Sequence, residues 1–491
     1  MSEPDVVVVG AGNAALCAAI AAREAGANVL VLERSPEDVR GGNSAFTGGA
    51  FRFAYDGVND LLRLSPDITQ EEQDTTDFGA YPEAQFYGDL AEMSSYRADP
   101  ALIETLARES LPTLEWMRTQ GVRFIPIYGR QTYVSGGKRV FWGGLILEAS
   151  GGGLGLVESL FKRAESLGIE VRYDHKVVDL IVEGGAVRGV ISETRDYRVT
   201  IRGRTVVLAA GGYHANTAWR ARYLGPGWDL ARARGSRFNT GAALEAALRR
   251  GARAHGHWSG CHSVFLDANA GDFGDINRLN EQKNYFTLGI VVNACGERFV
   301  DEGEDFRNYN YSRMGVEVAR QPGGRAWQVF DARGVALLPD EYRMKGAARV
   351  EAPTLEALAE KMEGINAPAF LKTVREFNAA IDDGPAFDPA VKDGRGTRGL
   401  ALNKSNWALG IEKTPFVAYE VVCGVTLTYG GVAISPQSEV LSETGAPMPG
   451  LYAAGEMVGG LYYGKYPGGA GLTSGAVFGR IAGQSAARYA T

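Results

Sequence analysis

The sequence predicts an α/β protein that opens on a parallel βαβ unit, and three stretches carry the prediction. DVVVVGAGNAALCAAIAAREAGANVLVLER, residues 5–34, reads as strand, glycine turn, helix and strand. TVVLAAGGYHAN supplies a buried strand over Val206 to Ala209 that ends on Ala210, Gly211 and Gly212. GLYAAGEMVGG repeats the pattern, with a short strand from Leu451 to Ala453 ending at Gly455 and Glu456.

Each part of the first stretch has a physical reason. Asp5 to Val9 is β-branched and apolar, and Ala14 to Glu24 is alanine-rich, with Leu16 and Ile20 spaced for one helical face. Gly10 allows a tight turn, Gly12 lets a pyrophosphate approach the backbone, and Ala15 fills the third small position, where helix packs on strand. Glu33, with Arg34 beside it, ends the second strand about 20 residues on, where a carboxylate accepts hydrogen bonds from a ribose diol. Together these make a Rossmann-like dinucleotide site. RGGNSAFTGGAFRF, residues 40–53, follows as a second glycine-rich loop. Its Gly41, Gly42, Asn43, Ser44, Gly48 and Gly49 suit a flat ring and a phosphate, which selects FAD over a nicotinamide cofactor. GGGLGL, beginning at Gly151, has no β-branched strand before it and reads as a loop feeding a helix.

Composition bounds the rest. A chain of 491 residues exceeds one ordinary domain, and two interleaved domains are expected, with no internal repeat and no low-complexity linker. Hydrophobic content is 45%, and no apolar run approaches the ~20 residues of a membrane span. The first strand begins at Asp5, leaving no room before it for a secretory signal, so a cytoplasmic protein is expected. Cys17, Cys261, Cys295 and Cys423 are scattered, which predicts neither a metal site nor a disulfide framework. A net charge of -7 argues against nucleic acid and leaves an acidic substrate needing a local cationic pocket.

In order along the chain, these segments resemble the flavoproteins of the fumarate reductase and succinate dehydrogenase superfamily. GLVESLFKRAESLGIEVRYDHKVVDLI and NTGAALEAALRRGARA extend the resemblance to nearly the whole chain. It implies a Rossmann-like FAD-binding domain, residues 1–256 and 428–491, interrupted by an α+β capping domain over 257–427. Glu33 would then hold the adenosine ribose, Val178 would meet the adenine through its backbone, and Glu456 would hold the ribityl chain. Gly471, Leu472 and Thr473 would lie beside the flavin, where the start of the last helix stabilises negative charge on the reduced ring. No histidine stands in GGNSAFTGG, so the FAD is expected to be non-covalent.

GVTLTYGG and GKYPGGAG put Leu427 and Tyr466 where fumarate reductases carry a histidine and an arginine, and half of the dicarboxylate clamp is thereby missing. Within that superfamily the chain resembles the FAD-dependent tricarballylate dehydrogenases, through GHWSGCHS, GERFVDEGEDFRNYNYS, QPGGRAWQVFD and KYPGGAGLTSGAVFGRIAG. That resemblance implies desaturation of a small carboxylated substrate, or the reverse, with electrons exchanged with a separate carrier. The YPG before the last helix also resembles ketosteroid dehydrogenases, which act beside a ketone. Tyr466, Arg333, Glu302 and Arg307 are the catalytic candidates, and His262, Tyr429, Tyr462, Tyr463 and Lys465 the substrate-binding ones. The helix start and Lys465 are expected to favour a Tyr466 phenolate. A third reading, of another class, is a flavin electron-transfer subunit of a larger complex.

Overall fold

A computed structural model describes residues 3–277 and 281–491. Its central sheet has six strands in the order Glu439–Leu441, Pro447–Ala453, Thr205–Leu208, Val6–Val9, Val29–Leu32 and Glu170–Arg172. All neighbours are parallel except the antiparallel edge strand Glu439–Leu441. VVVV and VLVL are buried along their whole length, as a parallel strand covered on both faces requires. The mixed α/β class expected from the sequence is the one observed.

Asn13–Glu24 packs on the sheet and against the last helix, Ala470–Ala490. The contact is close because Gly475, Gly479 and Gly483 recur every fourth residue on one face. A Cβ at Gly479 or Gly483 would run into the carbonyls of Ala14 or Ala18. The stripe fixes where the last helix begins, and that start forms part of the site. The glycine run at 151 opens the helix Gly152–Ser166, whose Gly153 packs on the Ser44 carbonyl.

A second sheet is built on the long strand Phe416–Val432, which pairs with Arg232–Ala233, Ala254–Asp267, Arg325–Phe330 and Arg349–Ala352. Ile290–Asn293 extends it through Arg325–Phe330. Helices Leu355–Lys361 and Ala367–Ala379 cover it with their own apolar cluster, including Leu358, Phe370, Val374 and Phe377. The boundaries expected at 256/257 and 427/428 fall inside the paired strands Ala254–Asp267 and Phe416–Val432, where His257 faces Tyr429 and His262 faces Leu427. These two strands run without a break from one layer to the other and carry site residues between them.

Among the described residues no helix is long and apolar enough to cross a membrane, and no group of histidine, cysteine and carboxylate side chains is arranged to hold a metal. The four cysteines are free, and only Cys295 is exposed.

Candidate active site

One elongated cavity runs from the end of the strand Val29–Leu32 to the start of the last helix. At its first end lie Glu33, Arg34 and Val177, then Gly10, Gly12 and Ser44, then Ala210, Gly211 and Glu456. Gly471, Leu472 and Tyr466 close the other end. Gly10 has φ +103, and a side chain there would meet the Ala209 carbonyl, so the turn admits only glycine. Gly12 caps the helix Asn13–Glu24 with no side chain of its own, leaving its first N–H groups to Ser44 Oγ, 3.0 Å from the Asn13 nitrogen, and to the cavity. Glu33 is 6% exposed, and its carboxylate accepts the Ser35 N–H at 2.7 Å. Burial pushes it above the usual carboxylate range, against the backbone hydrogen bonds that favour its charge. Glu456 accepts the Thr428 N–H at 2.7 Å, and Gly212 makes room for that carboxylate. An anion-binding helix start between two carboxylates, Glu33 buried and Glu456 half-buried, each facing one long cavity, fits a dinucleotide with a ribose or ribityl diol at each side.

At the flavin end the wall changes chemistry. Arg130, Arg234 and Arg307 come from three distant segments and line the cavity with His262, Tyr311, Tyr462 and Tyr466. Arg307 stacks on Tyr285, 4.1 Å from the ring centroid, donates to the Tyr285 hydroxyl at 2.9 Å and to the Arg130 carbonyl, and leaves its Nε without a protein partner. Arg130 pairs with Glu148. Arg234 is half-buried and donates to the Phe46 carbonyl at 3.2 Å, and desolvation lowers its pKa from the usual guanidinium value. His262 stands edge-on to Tyr311 and Tyr466, with ring centroids at 4.9 and 4.7 Å. Burial and the nearby Arg234 push it down to about 3, so it is neutral at physiological pH, and its Nδ1 has no protein partner.

Tyr466 is 7% exposed. Burial raises its phenol above the ordinary value, while Tyr311, the Gly469 N–H, Arg52 and Arg234 work in the opposite direction. The group is therefore a neutral phenol at neutral pH, which corrects the expected phenolate. Lys465 gives that phenolate no support, because its ammonium turns outward to Glu304 at 2.9 Å. Tyr463 also turns outward, stacked on His257 at 5.7 Å, and with Lys465 it borders a separate outer cleft. Tyr429 lies behind the wall against Tyr462, with ring centroids 6.0 Å apart.

Other expected site residues lie elsewhere. Arg333 is held by Asp331 at 2.7 Å and by the Gly410 carbonyl at 2.7 Å, outside the cavity lining. Glu302 is fully buried, accepting from the Val291 N–H at 2.8 Å and pairing with Arg298 at 2.5 Å, so its carboxylate locks a turn rather than facing the cavity. Val177 lines the cavity, whereas Val178 gives its carbonyl to Arg249 at 2.5 Å. Gly41 and Gly49 pack on Val157 and Gly152, Ala15 is buried in its helix, and the Thr473 hydroxyl donates to the Arg52 carbonyl at 2.7 Å. Gly42, Asn43 and Gly48 do line the cavity, with Asn43 Nδ2 donating to the Thr426 carbonyl at 2.6 Å. Arg130, Arg234 and Tyr311 escaped the sequence reading, since no spacing signal distinguishes them among 51 basic residues and 21 tyrosines.

FAD released by acid precipitation should be intact, and Glu33→Ala should weaken its binding by about 1.5–3 kcal/mol through loss of a charge-assisted hydrogen-bond pair. Titration of apoprotein with FAD, followed by flavin fluorescence, checks this. Unchanged affinity would mean that the ribose is held elsewhere.

Comparison with known proteins agrees with this geometry. The chain is 27% identical over 492 residues to a protein described as probable fumarate reductase Ifc3 of Shewanella frigidimarina, covering 99% of this chain and 75% of that one. Among solved structures, the open conformation of a flavocytochrome c3 fumarate reductase superposes with a TM-score of 0.74 at 26% identity, covering 100% of this chain and 79% of the other. 3-Ketosteroid-Δ4-(5α)-dehydrogenase from Rhodococcus jostii RHA1 superposes with a TM-score of 0.72 at 26% identity, covering 99% and 97%. The family model described as FAD binding domain matches residues 5–472, and with its dinucleotide cavity in place the chain belongs to that FAD-binding flavoprotein family.

Proposed function

We propose that the substrate of this protein is a small carboxylated molecule, tricarballylate-like in carrying its acid group beside a saturated or unsaturated C–C bond. The protein is an FAD-dependent oxidoreductase acting on CH–CH bonds. The observation that carries the finer reading is the convergence of Arg130, Arg234 and Arg307 in the same cavity as the helix start and Tyr466. Guanidinium forks match carboxylates in shape and charge. FAD, when bound, supplies the two-electron centre.

The chain's own groups supply position and a proton. Arg307 and Arg130, tied to each other through Tyr285, orient the acid group. The neutral Tyr466 phenol gives a proton to the substrate in the reducing direction, and its phenolate takes one in the reverse direction. His262, uncharged, lines the same cavity. The phenols of Tyr311 and Tyr466 favour a second reading, a ketone beside the reacting bond as in ketosteroid dehydrogenases. A separate electron carrier and a cytoplasmic setting belong to the same proposal.

Turnover of small di- and tricarboxylates against their methyl esters tests it. The free acid should exceed the ester in kcat/KM by about 10²-fold, the scale of a lost charge-assisted pair. Equal turnover of the ester would remove the carboxylate reading. A flavin that no acid or ketone reduces or reoxidises under anaerobic conditions would favour an electron-transfer subunit.

A further inference from the structure

We infer that Arg52 raises the reduction potential of the FAD: its buried charge, held behind the start of the last helix, stabilises the negative charge that the ring gains on reduction and so favours the desaturating direction. The inference needs the flavin ring at this end of the cavity. It does not depend on which substrate is used.

Arg52 follows the short strand Ala50–Phe51, at the end of the second glycine-rich loop, and is 0% exposed. Its Nε donates to the Gly468 carbonyl at 2.9 Å, and its Nη1 to the Gly143 carbonyl at 2.5 Å. Gly469, which caps the last helix, lies so close that a Cβ there would meet the Arg52 backbone nitrogen at 2.9 Å. Gly468, Gly469 and Gly471 line the cavity, and Arg52 does not. The guanidinium is thus separated from the cavity by the Gly468 peptide.

Its charge is not answered at close range. The faces of Tyr81 and Tyr309 lie 5.2 and 5.1 Å from the guanidinium carbon, and both phenols donate to Asp89, at 2.5 and 2.9 Å. Asp89 is half-exposed on the outer cleft, so the carboxylate is reached through two rings and faces water. A guanidinium buried without a carboxylate against it is costly, and two ring faces offset only part of that cost. The rest of its field reaches the cavity: at Tyr466 it favours the ionised phenol, against the larger effect of burial. Uptake of two electrons and one proton leaves the FAD ring with one more negative charge, and a fixed cation stabilises that state over the oxidised one. The helix start contributes with the same sign. A ring with a higher potential takes electrons from a saturated substrate more readily.

The test is anaerobic equilibration of the FAD-loaded protein with a dye of known potential, read from the flavin absorbance, and it needs no substrate. Arg52→Gln should lower the ratio of reduced to oxidised FAD at a fixed ambient potential by about tenfold or more, which is about 30 mV or more for a two-electron couple. Arg52→Lys, which keeps the charge and loses the fork, should recover at least half of that shift. Asp89→Asn removes the distant countercharge while still accepting from both phenols, and should move the ratio the other way, by about threefold, or about 15 mV. Opposite signs at Arg52 and Asp89 are what a field effect produces and a loosened loop does not. An unchanged potential in Arg52→Gln, or an equal fall in Arg52→Gln and Arg52→Lys, overturns the inference. If Arg52→Gln fails to hold FAD, Asp89→Asn decides alone, and a potential that does not rise in that variant overturns the inference as well.

Discussion

Tyr466→Phe should leave the FAD spectrum intact and slow flavin reduction by substrate about 10²-fold or more, the scale of a lost acid–base group. The substitution removes one hydroxyl from a ring packed against His262 at 4.7 Å and Tyr462 at 5.2 Å, so the wall keeps its shape. What disappears is the proton carrier. The sign of the pH dependence follows from its raised pKa. The phenol stays protonated through neutral pH and beyond its ordinary value of 10.0, so alkene reduction, which consumes that proton, should show no loss of rate from this group across the neutral range. Desaturation needs the phenolate and should speed up as pH rises toward and past that value. Stopped-flow reduction between neutral and alkaline pH reads both. The alkaline rise in desaturation should vanish in Tyr466→Phe, and a variant that reduces at the wild-type rate with the same pH profile would leave Tyr466 a packing residue.

The residues that were legible in the sequence are those whose role depends on local geometry. Gly10, Gly12 and Glu33 are set by one strand, one turn and one helix, and Gly455, Glu456 and Gly471 lie in equally local patterns. The cation wall depends on tertiary structure alone: Arg130, Arg234 and Arg307 are each more than 70 positions apart, and only the folded sheets bring them to one cavity. The loop before the last helix shows a subtler failure. Tyr462, Tyr463, Lys465 and Tyr466 look equivalent in a row, yet Gly464, at φ +70, turns the chain and pairs Tyr463 with Lys465 across it. Tyr462 and Tyr466 go inward and the other two go out. The charge state of Tyr466 was illegible for a different reason: neighbouring donors can be guessed from sequence, but the burial that outweighs them cannot.

Arg307→Lys should lower kcat/KM for a carboxylated substrate by about 10–10²-fold, although the charge is kept, and Arg333→Ala should stay within about twofold of the wild type. Lysine cannot present a planar fork, cannot stack as a guanidinium does 4.1 Å over Tyr285, and cannot bridge the Tyr285 hydroxyl and the Arg130 carbonyl while still offering a second donor to an acid group. Arg333 has no such geometry: its guanidinium is spent on Asp331 and the Gly410 carbonyl, with Glu412 at 3.5 Å. Truncating it loosens the cap of a short helix, which is a stability effect read by thermal melting rather than by turnover. Steady-state kinetics on both variants, with FAD content matched, separates the two arginines. An inactive Arg333→Ala beside an active Arg307→Lys would mean that the cap residue reaches the substrate after all, and the proton and the acid group would then have to be reassigned to the Asp331–Arg333 corner.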